Sequence, residues 1–286
     1  MALELSDEQI QKLMQGISIP PQPQIMVDLQ MEQFSNDCDI SRIAKLISQD
    51  VGLSGSILKT INSPFFAMKN KVTSILQACT LLGIDSVVNI VNALSIRGEL
   101  TDENIVQLNN FWDSAMDVAM VCTTIAQKIN STSVDEAYTV GLFHNCGIPL
   151  MMMRFENYGE VMHETYTNSE SRIIDSENAH FKTNHAVVGY YVAKSWNLPK
   201  YLCDAIADHH SADVIFANSE YEKKEQKDLL AILKMAEHIC KLYKTLGNQE
   251  IDIEWERIES EVLDYIGLSP EDFISVTESC QDMGLT

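Results

Sequence analysis

The spacing of apolar residues constrains this chain most: it repeats every three to four positions almost throughout, and no run alternates at period two. A period near 3.6 gathers such residues on one helix face, whereas a half-buried strand needs strict alternation. Helix-start signals agree with the period. Ser6 with Gln9 and Ser133 with Glu136 fit capping boxes, and Asp39 suits an N-cap ahead of Ile40, Ile43, Ala44 and Ile47. Ser74 and Asp85 suit two further starts, the second helix running to Gly98, and Ser269 caps a last helix with Pro270 at its first position. "DVGLSGSILKTINSPFF" (50–66) reads as a short helix stopped before Pro64. Other helices are expected over 155–167, 185–196, 199–210, 225–244 and 251–266. The class is all-α, a multi-helix bundle. Four stretches organise it: an N-terminal helix (1–19), an N-terminal helical half (20–100), a helical core (101–245) packed on it, and a C-terminal extension (246–286).

Charge narrows the function. The net charge is −21, and no Lys/Arg cluster stands against that field, so nucleic acid is not an expected partner. From Leu246 onward eleven acids face one base, Arg257, which places −10 of the −21 in the extension. Ile253, Ile258 and Val262, widened by Trp255 and Leu263, form an apolar face that should dock on the core. Its acids, Glu254, Glu256, Glu259 and Glu261 among them, should then face solvent, either as a plain solvated surface or as a docking face for a basic partner. The seven cysteines are scattered, with no C-x-x-C pair, which argues for a reducing compartment. "MALELSDEQI" has no basic stretch ahead of an apolar one, and no apolar run approaches the roughly 20 residues of a membrane span. A cytoplasmic protein without membrane contact is expected.

The chemistry lies in the histidines. His144 sits in "LFHNCGIP", followed by the neutral Asn145; His185 opens "HAVVGYYVAKSW"; His209 and His210 close "PKYLCDAIADHHS". Residues adjacent on a regular helix point about 100° apart, so His209 and His210 reach one site only if the last turn unwinds. Ala186, Gly189 and Ala193 would let another helix approach the one that His185 opens. His163, His180 and His238 have no partner at ligand spacing and read as polar surface or helix-end residues.

"NNFWDSAMDVA", "GLFHNCG", "HAVVGYYVAKSWNLP" and "DHH", in that order, resemble the HD-related output domain, HDOD. "ISQDVGLSGSILKTINSPFF" and "ILQACTLLGIDSV" are similar to its N-terminal half, and the resemblance runs from about Pro20 to Tyr243. It implies a bacterial signal-transduction or adaptor domain related to the HD phosphohydrolases, whose metal pattern is a His, a His-Asp pair and a final Asp. Carried over, the first His falls near Ser114, the pair on His144 and Asn145, and the final Asp on Glu237; the additional histidines match His185, His209 and His210. A hydrolytic Mg²⁺ or Mn²⁺ needs anionic oxygen ligands and must acidify a bound water. Asn145 offers only a neutral carbonyl and Ser114 a weak hydroxyl, so the six residues from His144 to Glu237 read as a vestigial metal site. No catalytic residue and no resident cofactor is expected, although imidazoles can take up Zn²⁺ or Ni²⁺ adventitiously. The reading is a non-catalytic signalling or scaffolding module that binds a protein or small ligand. Its alternatives are a metal-dependent phosphohydrolase with an atypical ligand set and a thiol sensor at Cys146. The identity of a partner and the oligomeric state stay open.

Overall fold

The computed structural model describes residues 24–35, 37–47, 57, 60–61, 64–69, 72, 75–98, 102–129, 132–167, 172–195, 198–246 and 249–285. Helices are the only regular structure among them. The helix expected in 1–19, the cap at Ser74 and most of the 50–66 stretch lie outside the described residues. Two compact units divide between 106 and 107.

Within 20–106 the described helices are α1 (Gln24–Gln33), α2 (Ile40–Ile47), α3 (Ile75–Leu82) and α4 (Ile84–Gly98). Asp39 caps α2 as expected, its Oδ1 accepting from Ser41 N at 2.8 Å, and Ile43, Ala44 and Ile47 are buried behind it. Asp85 is not a cap: α4 already begins at Ile84, after Gly83 at φ +80°, and Asp85 accepts from Gln33 Nε2 of α1 at 2.8 Å. A positive φ turns the chain sharply enough to start α4 without a side-chain cap.

α5 (Asp102–Ile129) leads into the second unit, where α6 (Val134–Phe143) and α7 (Gly147–Arg154) flank the His144–Asn145 turn. α8 (Tyr158–Thr167), α9 (Ile173–Phe181), α10 (His185–Ser195) and α11 (Lys200–Asp208) follow. After these come α12 (Ala212–Ala217), α13 (Lys224–Ile239), α14 (Leu242–Thr245), α15 (Ile253–Ile266) and α16 (Pro270–Asp282). Ser133 occupies the cap position of α6, but the box is not formed. Glu136 is drawn away to Tyr201 Oη and Thr132 Oγ1, a tertiary contact overriding a local one. Ser269 and Asp272 do form theirs on α16, with Pro270 at the first position.

α13 is the axis of this unit. Gln226 to Glu237 are buried without a gap, against α6, α11 and α15. A helix buried all round is ordinarily apolar, so each charge on α13 needs a partner. Lys227 lies over the rings of Phe216 and Tyr265 at 5.2 and 4.8 Å. Asp228 accepts from Tyr265 Oη at 2.7 Å and Lys224 Nζ at 2.9 Å. α15 docks through Trp255, Ile258, Val262 and Leu263, the face read from sequence, with Ile253 only half-buried. No single helix among the described residues is long and apolar enough to cross a membrane.

Candidate functional site

Three helix ends meet beside α13. α11 stops at Asp208 and tightens into a 3-10 turn over His209–Ser211, and both histidines of that turn reach His185. α10 brings His185, and α6 ends on His144. The close approach needs small residues: Gly147 lies against the carbonyl of His185, and Gly189 against Ile206 and Cys146 Sγ. His144, His185, His209 and His210 are each at most 3% exposed.

Every ring is oriented from behind through Nδ1. His144 Nδ1 donates to the carbonyl of Gly141 at 2.6 Å and His209 Nδ1 to that of Ile206 at 2.7 Å. His185 Nδ1 donates to Glu177 Oε2 at 2.8 Å, and His210 Nδ1 to Glu254 Oε1 at 3.0 Å. A proton on Nδ1 leaves Nε2 a bare lone pair in a neutral ring. Those of His185, His209 and His210 converge: 3.3 Å separates His185 from His209 and 3.1 Å separates His185 from His210. Two bare nitrogens at that distance repel unless a proton or a metal ion lies between them. Burial, reinforced by neighbouring positive groups, holds His209 and His210 well below the ordinary imidazole value, and burial pushes His144 down to about 3.

Acids surround the cluster, and all are engaged. Glu177 is fully buried and also accepts from Tyr158 Oη and from the His185 backbone. Glu237 lies 3.3 Å from His144 Nε2 without hydrogen-bonding it; its other oxygen takes Lys234 Nζ at 2.6 Å. Burial pushes the Glu237 carboxyl up to about 7, against the pull of Lys234. Lys234 also reaches Glu254 Oε2 at 2.9 Å. A cleft of about 70 Å³ opens beside this group, lined by Arg172, His210, Lys234, Glu237, Glu254 and Trp255 among others.

The structure therefore brings His144, His185, His209, His210 and Glu237 together. Asn145 is buried in the turn after His144, its Oδ1 unbonded, and Ser114 is half-buried on α5. Three residues of the site were not read from sequence: Glu177, Lys234 and Glu254. Glu254 is a correction, because it was expected in solvent with Glu256, Glu259 and Glu261. The latter three are exposed, whereas Glu254 turns inward to Lys234 and His210. Glu254→Lys is accordingly expected to cost about 2–3 kcal/mol in urea unfolding, while Glu256→Lys should stay within about 0.5 kcal/mol. The thiol-sensor alternative loses ground, since Cys146 is fully buried and burial pushes its thiol up to about 12.

The family model for the HDOD domain matches residues 19–212. This chain belongs to the HDOD family. An HDOD domain protein of unknown function from Geobacter sulfurreducens is similar in structure, with TM-score 0.63, 20% identity, and 96% of each chain covered. A candidate phosphohydrolase from Shewanella amazonensis SB2B gives TM-score 0.65 at 20% identity, over 96% of this chain and 94% of that one. A candidate signal-transduction protein from Marinobacter aquaeolei VT8 gives 0.63 at 16%, over 95% of this chain and 58% of that one. At such identities the likeness shows the HDOD fold alone. An uncharacterized protein of Treponema pallidum (strain Nichols) is 24% identical over 269 residues, 91% of this chain; the chain spans about half (48%) of that relative.

The resemblance to the HD phosphohydrolases implies a metal, and the donor set tests whether one fits. Three convergent imidazole nitrogens, within 4.8 Å of one another, suit a nitrogen-preferring ion such as Zn²⁺, Ni²⁺ or Co²⁺. They do not suit Mg²⁺, which takes oxygen ligands.

Proposed function

We propose that this HDOD chain is a non-catalytic signalling or scaffolding module, in which the former hydrolytic centre persists as a packed histidine cluster. One observation carries the reading: each acid around the cluster is already engaged by the chain itself, Glu177 behind His185, and Glu237 and Glu254 on Lys234. A metal that generates hydroxide for phosphoester attack needs a charge-compensating oxygen set and an open coordination position. Here an ammonium stands on the carboxylate side, and the pair position is the neutral Asn145. His185, His209 and His210 would hold a transition metal if one is taken up, and such an ion would supply Lewis acidity; the carboxylates around it are already engaged. The module acts in the cytoplasm through a protein or small-ligand partner, with the cleft beside Lys234 as a binding surface.

The alternative, a phosphohydrolase with an atypical ligand set, draws support from the three converging Nε2 atoms. The two readings separate on turnover. With Mg²⁺, Mn²⁺, Co²⁺ or Zn²⁺ supplied, the purified protein is expected to hydrolyse p-nitrophenyl phosphate, bis-p-nitrophenyl phosphate and cyclic dinucleotides no faster than its His144→Ala variant. Metal-stimulated turnover absent from that variant would reverse the assignment.

A further inference from the structure

Most charged groups around the cleft beside Lys234 are engaged with one another. Lys234 lies on Glu237 and Glu254, Asp252 takes His238 Nδ1 at 3.0 Å, and Arg172 holds Asp175 through two nitrogens at 2.9 and 3.1 Å. Three other residues that line the cleft are not. Trp255 is 4% exposed, and its buried Nε1–H reaches no acceptor among the described residues. Asp213 has one buried carboxylate oxygen, Oδ1, that reaches no donor among them. Arg257 is exposed and makes no ion pair among the described residues. A buried indole N–H ordinarily finds an acceptor, and a buried carboxylate oxygen ordinarily finds a donor. Apolar side chains line the same cleft, among them Ile173, Leu242, Tyr243, Ile251 and Ile258.

We propose that this cleft is a site for a small aliphatic α-amino acid in its zwitterionic form. Its ammonium donates to Asp213, its carboxylate accepts from Trp255 Nε1–H and pairs with Arg257, and its side chain covers the apolar lining. The leftover groups choose the class: one acid and one base on the same cleft ask for a ligand that carries one charge of each sign. A simple amine or a simple carboxylic acid would answer only one of them. Size narrows the side chain. A cleft of about 70 Å³ is less than half of the roughly 150 Å³ that admits a benzene ring, so it suits a short aliphatic group and not an aromatic one. Burying that group against the isoleucines supplies apolar contact, while the two charged ends fix its orientation.

This ligand class rests on the reading of the cleft as a binding surface of a non-catalytic module, yet the two fail separately. Turnover of phosphoesters would remove the non-catalytic reading and leave amino-acid binding standing. Isothermal titration calorimetry of the full chain with L-valine and L-leucine, at millimolar concentration and neutral pH, is the test. Both should bind, and L-phenylalanine should not. Leucinamide lacks the carboxylate and N-acetyl-leucine lacks the ammonium, so each should bind about tenfold more weakly or worse, the loss of one charge-assisted hydrogen bond. Arg257→Gln should weaken leucine and leave leucinamide unchanged, and Asp213→Asn should weaken leucine and leave N-acetyl-leucine unchanged. Trp255→Phe removes the N–H while keeping a ring on His238 and Phe273, and it should weaken leucine too. The Asp213 and Arg257 variants decide the matter if that one folds poorly. No binding of valine or leucine by folded wild type overturns the proposal, as does equal binding of leucine, leucinamide and N-acetyl-leucine. Leucine binding undiminished in Asp213→Asn or in Arg257→Gln also overturns it.

Discussion

Gly147→Ala is expected to destabilise the protein by about 4 kcal/mol or more, the range reserved for substitutions that force backbone apart. A Cβ on Gly147 would lie 2.0 Å from the carbonyl oxygen of His185, 2.8 Å from its carbonyl carbon and 3.0 Å from Gly189 N. None of these atoms ends a flexible side chain that can swing aside. α7 has to move off α10, and His185 moves with it, so the loss reaches the cluster as well as the packing. Gly159→Ala supplies the contrast. Nothing lies within 4 Å of a Cβ there, and an alanine in α8 should be neutral or stabilise by up to about 1 kcal/mol. Urea unfolding of the two variants checks both signs; a Gly147→Ala protein within about 1 kcal/mol of wild type would mean the helices are less tightly apposed.

Glu177→Ala should cost about 3–5 kcal/mol, because three buried donors lose one carboxylate acceptor together. Glu177 is 0% exposed and serves three donors: His185 Nδ1, the His185 backbone N–H and Tyr158 Oη. Alanine strands all three without letting water replace the carboxylate, and the His185 ring loses what fixes its orientation. Glu177→Gln keeps the shape and one acceptor, so it should recover a substantial part of the loss. Equal destabilisation by Ala and Gln would show that the negative charge, rather than acceptor geometry, sets the energy. Calorimetric or urea unfolding at pH 7 distinguishes these outcomes.

Much of the helical plan was legible because local rules and tertiary packing agreed. Ser269 with Pro270 and Asp272, Asp39 ahead of α2, and the docking face of α15 each combine a start signal with an apolar period. The convergence of His209 and His210 was expected only if the last turn unwound; it tightens into a 3-10 turn instead, and both rings still reach His185. α9 was missed because its cap position is Arg172, which advertises no start, and because its apolar positions are sparse. That cost the reading Glu177, which α9 delivers eight residues ahead of His185. Lys234 and Glu254 were illegible for a different reason. An ion pair between residues 20 positions apart has no period, and a charged residue on a polar-looking helix reads as solvated until a neighbour buries it. Ser133 with Glu136 shows the converse: a correct local pattern whose acid is taken by Tyr201, from another helix.

The account rests on a cluster whose rings are all held through a protonated Nδ1, with Nε2 turned inward, beside carboxylates held by Lys234. Long-range ¹⁵N–¹H correlation spectra of histidine-labelled protein, treated with chelator, read that arrangement ring by ring. The account predicts a protonated Nδ1 at His144, His185, His209 and His210, because each lies on an oxygen acceptor between 2.6 and 3.0 Å away. A bare Nδ1 with a protonated Nε2 at His144 or His209 would contradict it.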